Sequence, residues 1–342
     1  MRRWGLIIFF VCLMTSGVYA TNTWKAATGY WNVKAYPDSC APGTALPDAT
    51  IWSSSKVPGD TEEVKINAAG TKCTLDGDAG SIGEAGNYKL DICGTSALTT
   101  ELDIVNHGKI RIGREFKVGD ASAGGAGPYG VVVQTGGDVI LNTASSVGKL
   151  EVGYKTTGVG YYTMSGGTIS GTGSLYVGCY GSATGGGTTA TGSVGTFTIQ
   201  SANPSISVAN LFVGVSDPNA VYYGTGNVKF ELNNGVSPIT TTSDVYIDPT
   251  NNAAAVANLV VTLVAGPQRG DIVLVKNGSA VAVHGVFDSV TLNGLNNGYY
   301  LVYNYNADGG AIANDIALIP EPATIALFGL GLLALVRRPR RK

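Results

Sequence analysis

Few side chains in this 342-residue chain are equipped for chemistry, and their spacing limits what they could do. Lys149, Glu151 and Lys155 lie close together on one segment. A carboxyl and its neighbours on an outward face are the parts of a glycosidase, which needs two carboxyls about 5–10 Å apart. The other charges between Gly119 and Asp248, namely Asp120, Asp138, Asp217, Lys229, Glu231, Asp244 and Asp248, are dispersed along the chain. Lys149, Glu151 and Lys155 are therefore expected to be solvated edge charges. Leu75-Asp76-Gly77-Asp78 has the look of a calcium loop but lacks further oxygen ligands at fixed spacing. The two histidines, His107 and His284, are far apart and no Cys-x-x-Cys pair exists, which argues against zinc. Neither a Gly-x-Ser-x-Gly elbow nor a His-Glu-x-x-His helix occurs. No catalytic, cofactor-binding or metal-binding residue is assigned, and no enzyme is expected.

The elements that carry these residues follow from a repeat. Phe116-Lys117-Val118-Gly119 returns as Leu150-Glu151-Val152-Gly153, Leu175-Tyr176-Val177-Gly178 and Leu211-Phe212-Val213-Gly214, with a degenerate fifth copy at Val245-Tyr246-Ile247-Asp248. Such periods signal a stacked array. A second phrase lies between successive copies, at Gly130 to Leu141, Gly160 to Gly171, Gly195 to Val208 and Gly226 to Ile239. Each reads as strand, tight turn, strand, with Gly136-Gly137, Gly166-Gly167 and Asn234-Gly235 at the turns. The shortest unit, Leu150 to Ser174, holds three strand-sized pieces and predicts one coil of a three-sided parallel β-helix. Parallel crossovers favour the right hand. Insertions such as Ala121 to Gly127 and Ser182 to Gly195 are expected to leave the stack as corner loops. Roughly nine or ten coils, at about 4.8 Å each, would make a rod about 45 Å long.

Composition supports an all-β chain. Glycine contributes 49 residues and apolar residues 44%, enough to build a core. Lys plus Arg number 22 against 24 Asp plus Glu, and the cations concentrate at the two termini, so the body is acidic. That sign excludes nucleic acid as a partner. Threonine-rich stretches at Thr188 to Thr191, Thr196 to Thr198 and Thr240 to Thr242 do not keep register, as an ice-matching face would require. Tyr154, Tyr180, Tyr222 and Tyr223 offer rings that could stack on sugars.

The termini supply an address. Residues 1–20 read as a signal peptide: Met1-Arg2-Arg3, an apolar run from Trp4 to Met14, and Val18-Tyr19-Ala20, with cleavage after Ala20. Residues 21–60, with Trp24, Trp31, Trp52 and several prolines, read as an N-terminal cap, 61–318 as the β-helix and 319–342 as a separate tail. That tail is Pro320-Glu321-Pro322, an apolar run from Ala323 to Val336, then Arg337-Arg338-Pro339-Arg340-Arg341-Lys342. Read as a short hydrophobic helix, the run is about 21 Å long against a bilayer core of about 30 Å. The cationic end should stay on the cytoplasmic side. This tail resembles the PEP-CTERM sorting signal. The resemblance implies recognition by an exosortase, a membrane cysteine protease, through Pro320, Glu321, Pro322, Arg337 and Arg338. It further implies an inner-membrane intermediate, then release to the cell surface or extracellular matrix. Trp24, Gly29-Tyr30-Trp31-Asn32, Val57-Pro58-Gly59-Asp60 and Val64-Lys65-Ile66-Asn67 resemble the opening of autotransporter-like β-helix passengers. Gly270-Asp271-Ile272-Val273-Leu274 and Asn314-Asp315-Ile316-Ala317-Leu318 resemble their finish.

Export brings oxidising conditions, and four cysteines follow the leader: Cys40, Cys73, Cys93 and Cys179. Cys73 and Cys93, close to one coil apart, are the candidate disulfide. The expectation is a noncatalytic exported structural protein, a β-helical spacer associated with extracellular polysaccharide and without a cofactor. The alternatives are a carbohydrate-active β-helix lyase or hydrolase, or a carbohydrate- or ice-binding surface protein. Three or more charged side chains from neighbouring coils converging in one groove would mark the enzyme.

Overall fold

A computed structural model describes residues 21–23, 28–30 and, apart from short stretches such as 121–128, 181–191 and 216–223, residues 63–321. Its strands follow one another in threes. After β1 (Thr21–Thr23) and β2 (Thr28–Tyr30) come β3 (Glu63–Ile66), β4 (Lys72–Leu75), β5 (Asp78–Ile82); β6 (Lys89–Ile92), β7 (Thr100–Ile104), β8 (Lys109–Ile112); β9 (Glu115–Asp120), β10 (Tyr129–Gln134), β11 (Asp138–Ile140). The series continues with β12 (Lys149–Tyr154), β13 (Val159–Met164), β14 (Thr168–Ser170); β15 (Ser174–Tyr180), β16 (Ser193–Gln200), β17 (Ser205–Val208); β18 (Asn210–Val213), β19 (Gly224–Asn233), β20 (Ile239–Thr241). It ends with β21 (Val245–Ile247), β22 (Val256–Ala265), β23 (Ile272–Asn277); β24 (His284–Gly285), β25 (Ser289–Asn293), β26 (Tyr299–Tyr305) and β27 (Asp315–Pro320).

Each member of a triplet joins a different sheet, and the three sheets have nine strands each. The expected all-β parallel solenoid is therefore the observed architecture. The repeated phrases stack in the first sheet: Phe116 pairs with Leu150, Leu150 with Leu175, Leu175 with Leu211 and Leu211 with Val245. Their side chains, with Val118, Val152, Val177, Val213 and Ile247, are buried in one continuous core. The second sheet adds a ring stack, Tyr162 lying 5.2 Å from Phe197 and 6.3 Å, edge on, from Phe116. Nine strands at about 4.8 Å give a depth of roughly 40 Å.

The ends differ from a simple cap at each side. β1 pairs in parallel with β3 and β2 with β4, so the beginning of the region read as a nonrepeating cap extends two of the sheets. At the other end the parallel rule breaks. β27 runs antiparallel to β23 on one side and to β26 on the other, closing the third sheet with a reversed pair. The signal segment with Ala20, the loops at 121–127 and 182–191, and the apolar tail lie outside the described residues.

Turn chemistry fixes the corners. Gly178 ends its phrase at φ +65°, and a Cβ there would come within 1.9 Å of the Thr225 carbonyl oxygen. Only a residue without a side chain satisfies both demands. In the degenerate fifth phrase Asp248 holds the corresponding place at φ 30°, buried.

Candidate functional site

Alternation in the first sheet sends the second residue of each phrase to the face opposite the core. Parallel register then stacks these residues into one column: Lys65, Asp91, Lys117, Glu151, Tyr176, Phe212, Tyr246 and His284. The column two residues earlier runs Lys89, Glu115, Lys149, Ser174 and Asn210. Lys89/Asp91, Glu115/Lys117 and Lys149/Glu151 thus form a checkerboard of opposite charges, which gives way to aromatic rings further along the rod. Opposite charges directly across a strand pair stabilise it, so the alternation favours this register.

The column through Asp91, Lys117 and Glu151 is enclosed, and the column through Lys89, Glu115 and Lys149 is half-buried. Lys117 is 2% and Glu151 1% exposed, and Asp91 and Asp120 are equally buried. Lys117 Nζ lies 2.8 Å from Glu115 Oε2, 3.9 Å from Asp120 Oδ2 and 3.8 Å from the centre of the Tyr154 ring. Burial works against the Lys117 charge, but Glu151 and the hydrogen-bonded Glu115 outweigh it and raise its pKa. Burial pushes Glu151 up to about 8, with Glu115 and Asp120 adding to the shift and Lys117 opposing it. Its Oε2 accepts no hydrogen bond from the described residues. Near neutral pH Glu151 therefore holds its proton, whereas Glu115, depressed by Lys117 against the pull of burial, carries its charge.

This corrects the reading of Lys149, Glu151 and Lys155 as a solvated edge. Only Lys155 is exposed; Lys149 is half-buried, its Nζ 5.5 Å from the Tyr176 ring, and Glu151 is inside. Charged groups from neighbouring coils do converge, contrary to the dispersal read from the sequence. The missed signal lay in the phrases themselves, whose second positions, Lys117, Glu151, Tyr176, Phe212 and Tyr246, become neighbours once the phrases are aligned.

The rings that follow stack face to face: Tyr176 to Phe212 at 4.6 Å, Phe212 to Tyr246 at 5.1 Å and Tyr246 to His284 at 4.5 Å, all within 8° of parallel. Cys179 packs with them, its Sγ 3.3 Å from the carbonyl oxygens of Val177 and Phe212. Rings whose faces are consumed by one another cannot stack on a sugar. Tyr154 is likewise engaged, with both Lys117 and Lys155 over its ring.

Elsewhere the structure separates what the sequence grouped. Cys73 and Cys93 are not bridged. Cys73 points from β4 into the main core as a thiol whose pKa burial raises, whereas Cys93 follows β6 in the first sheet and lies outside that core cluster. Asp76 accepts the His107 main-chain N–H through Oδ1 at 3.2 Å. Among the described residues no group of three or more His, Cys, Asp and Glu is arranged to hold a metal. Lys72 bridges Glu101 at 2.8 Å and Asp103 at 2.7 Å on the second sheet. In the same sheet Val131, Tyr161, Thr196 and Asn227 share one column, so a threonine row does not form there.

The tail begins inside the fold. Pro320 is the last residue of β27 and pairs with Tyr299, while the N–H of the exposed Glu321 donates to the Gly298 carbonyl. Pro322, Arg337 and Arg338 lie outside the described residues. Residues 318–342 match the PEP-CTERM protein-sorting motif. No curated protein matches the chain, and no solved structure does. The motif marks an exported chain, held transiently in the membrane and processed by an exosortase. Its first matched residues, Leu318 to Pro320, are also the end of the last strand.

Proposed function

We propose that this chain is a noncatalytic structural protein of the cell surface or extracellular matrix, a stiff β-solenoid spacer that associates with extracellular polysaccharide. The observation that carries the reading is that Lys117 and Glu151 are buried, and the charges and rings around them on the first sheet contact one another across strands. Continuous ladders of main-chain hydrogen bonds along three sheets suit a mechanical part, because every coil is held by the coils on both sides. The sorting motif places such a part outside the cell. Half-buried and exposed hydroxyl side chains on the second sheet, such as Thr163 and Thr291, would give such a polysaccharide partners for hydrogen bonds.

The carbohydrate-active enzyme stands as the second reading because one specific observation favours it. Glu151, protonated near neutral pH beside the ionised Glu115, has the protonation pattern of a general acid paired with a carboxylate. Both readings meet in one experiment. The purified body is incubated with the producing cell's own exopolysaccharide, and polymer length and co-sedimentation are followed. The spacer reading expects co-sedimentation with unchanged polymer length. Shortening that disappears in Glu151→Gln would establish the enzyme and end the spacer reading.

A further inference from the structure

The point at which the tail leaves the body fixes what the end of the rod touches. β27 is the middle strand of its group, with β23 on one side and β26 on the other, and the Glu321 N–H is held by Gly298. The apolar run starts at Ala323. Two residues of fully extended chain reach about 7 Å. While the tail is in a bilayer, the corner at Pro320 therefore has almost no freedom to stand away from the lipid surface.

The composition of that corner fits such a neighbour. β27 ends beside the start of β26, where Tyr299 and Tyr300 sit, and beside the start of β23, preceded by Gly270. The Tyr299 hydroxyl donates to the Gly270 carbonyl at 3.4 Å, tying the two starts together. β22 ends at the same corner. Gly294, just past β25, lies against Leu263, where an added Cβ would come within 3.2 Å of its carbonyl oxygen. Val264 is 57% and Tyr300 45% exposed there. Of the large apolar side chains exposed among the described residues, Val264, Val286, Val290 and Tyr300 belong to the last coils, and only Val147 and Tyr161 lie elsewhere. Tyrosine is a side chain of the lipid–water boundary, with an apolar ring and a polar tip. Among the described residues the acidic groups at the corner are Asp271 and Glu321, both exposed, so this described surface suits a zwitterionic headgroup layer better than a strongly anionic one.

We propose that the corner formed by Val264, Tyr299, Tyr300 and Pro320 is a lipid-contacting surface, on which the rod rests against the membrane before its tail is processed. The body then lies at the bilayer by its last coils, with the coils around β13 clear of it. This rests on the reading that the tail enters the membrane, and the test separates the two. The photoreactive residue benzoylphenylalanine is placed singly at 264, 300 and 161, all exposed sites, in the chain carrying its tail. Each protein is incorporated into phosphatidylcholine vesicles and irradiated, and lipid adducts are read by mass. Adducts at 264 and 300 with none at 161 are expected. A chain retained on the vesicles that gives no adduct at 264 or 300, or gives equal adducts at 161, overturns the lipid-contacting corner alone. A chain not retained on the vesicles overturns the membrane-held tail and the corner together.

Discussion

At the scale of single residues, the most consequential group is Glu151. Its carboxyl is 1% exposed and its pKa is pushed up to about 8, chiefly by burial. A carboxyl whose folded pKa lies above its unfolded value binds more protons when folded, so its contribution is fully present below the unfolded value and is lost as pH rises through about 8. Three groups that act on it are shifted away from that window. Glu115 is lowered, Lys117 is raised, and burial raises the Tyr154 hydroxyl from its ordinary value near 10. Urea unfolding is expected to show stability declining from about pH 5 to about pH 9 in the native chain. In Glu151→Gln the decline flattens, so that the variant is the more stable of the two at the alkaline end. Parallel profiles for the two proteins would refute the assignment. None of this was legible from Lys149, Glu151 and Lys155 taken as a local cluster, because the cross-strand partners of Lys149 and Glu151, Glu115 and Lys117, lie in the preceding coil and only register brings them together.

Among elements, the corner between the first and second sheets was the most legible feature of the chain. The glycine closing each phrase recurs because the strand must turn with positive φ while the next coil's backbone passes within contact distance. Gly178 and Gly270 separate those two demands. Both have positive φ, but an added Cβ at 178 meets Thr225 oxygen at 1.9 Å, whereas at 270 no atom of the described residues lies within 4 Å. Gly270→Ala is expected to cost only the left-handed backbone penalty, roughly 1–2 kcal/mol. Gly178→Ala adds a backbone clash and should lower the thermal midpoint by clearly more. Equal midpoints for the two variants would show that the close approach does not exist. Legibility was poorer where the pattern ends. The antiparallel pair β26 and β27 interrupts the parallel order, and its tyrosines carry no phrase that distinguishes a closing strand from another coil. The spacing of Cys73 and Cys93 does not by itself make a bridge, for a related reason. One coil of sequence separation brings residues to neighbouring coils, but not onto the same sheet or the same side of a strand.

For the whole molecule, three nine-stranded sheets form one body that reaches without a linker to the sorting motif. The two features constrain each other. Backbone groups of Asp315–Pro320 are engaged by β23 and β26, so a protease that needs an extended substrate cannot take that segment while the cap is intact. Glu321, just past that strand, is exposed. The most direct test is the intact mass of the protein recovered from the matrix of producing cells, compared with that from cells lacking the exosortase. The account predicts an extracellular chain that begins at Thr21 and ends at or beyond Glu321 but before the apolar run, and a chain that keeps its tail and stays with the membrane when the exosortase is absent. An unprocessed chain in the cytosol, or a mature end inside β27, would contradict it.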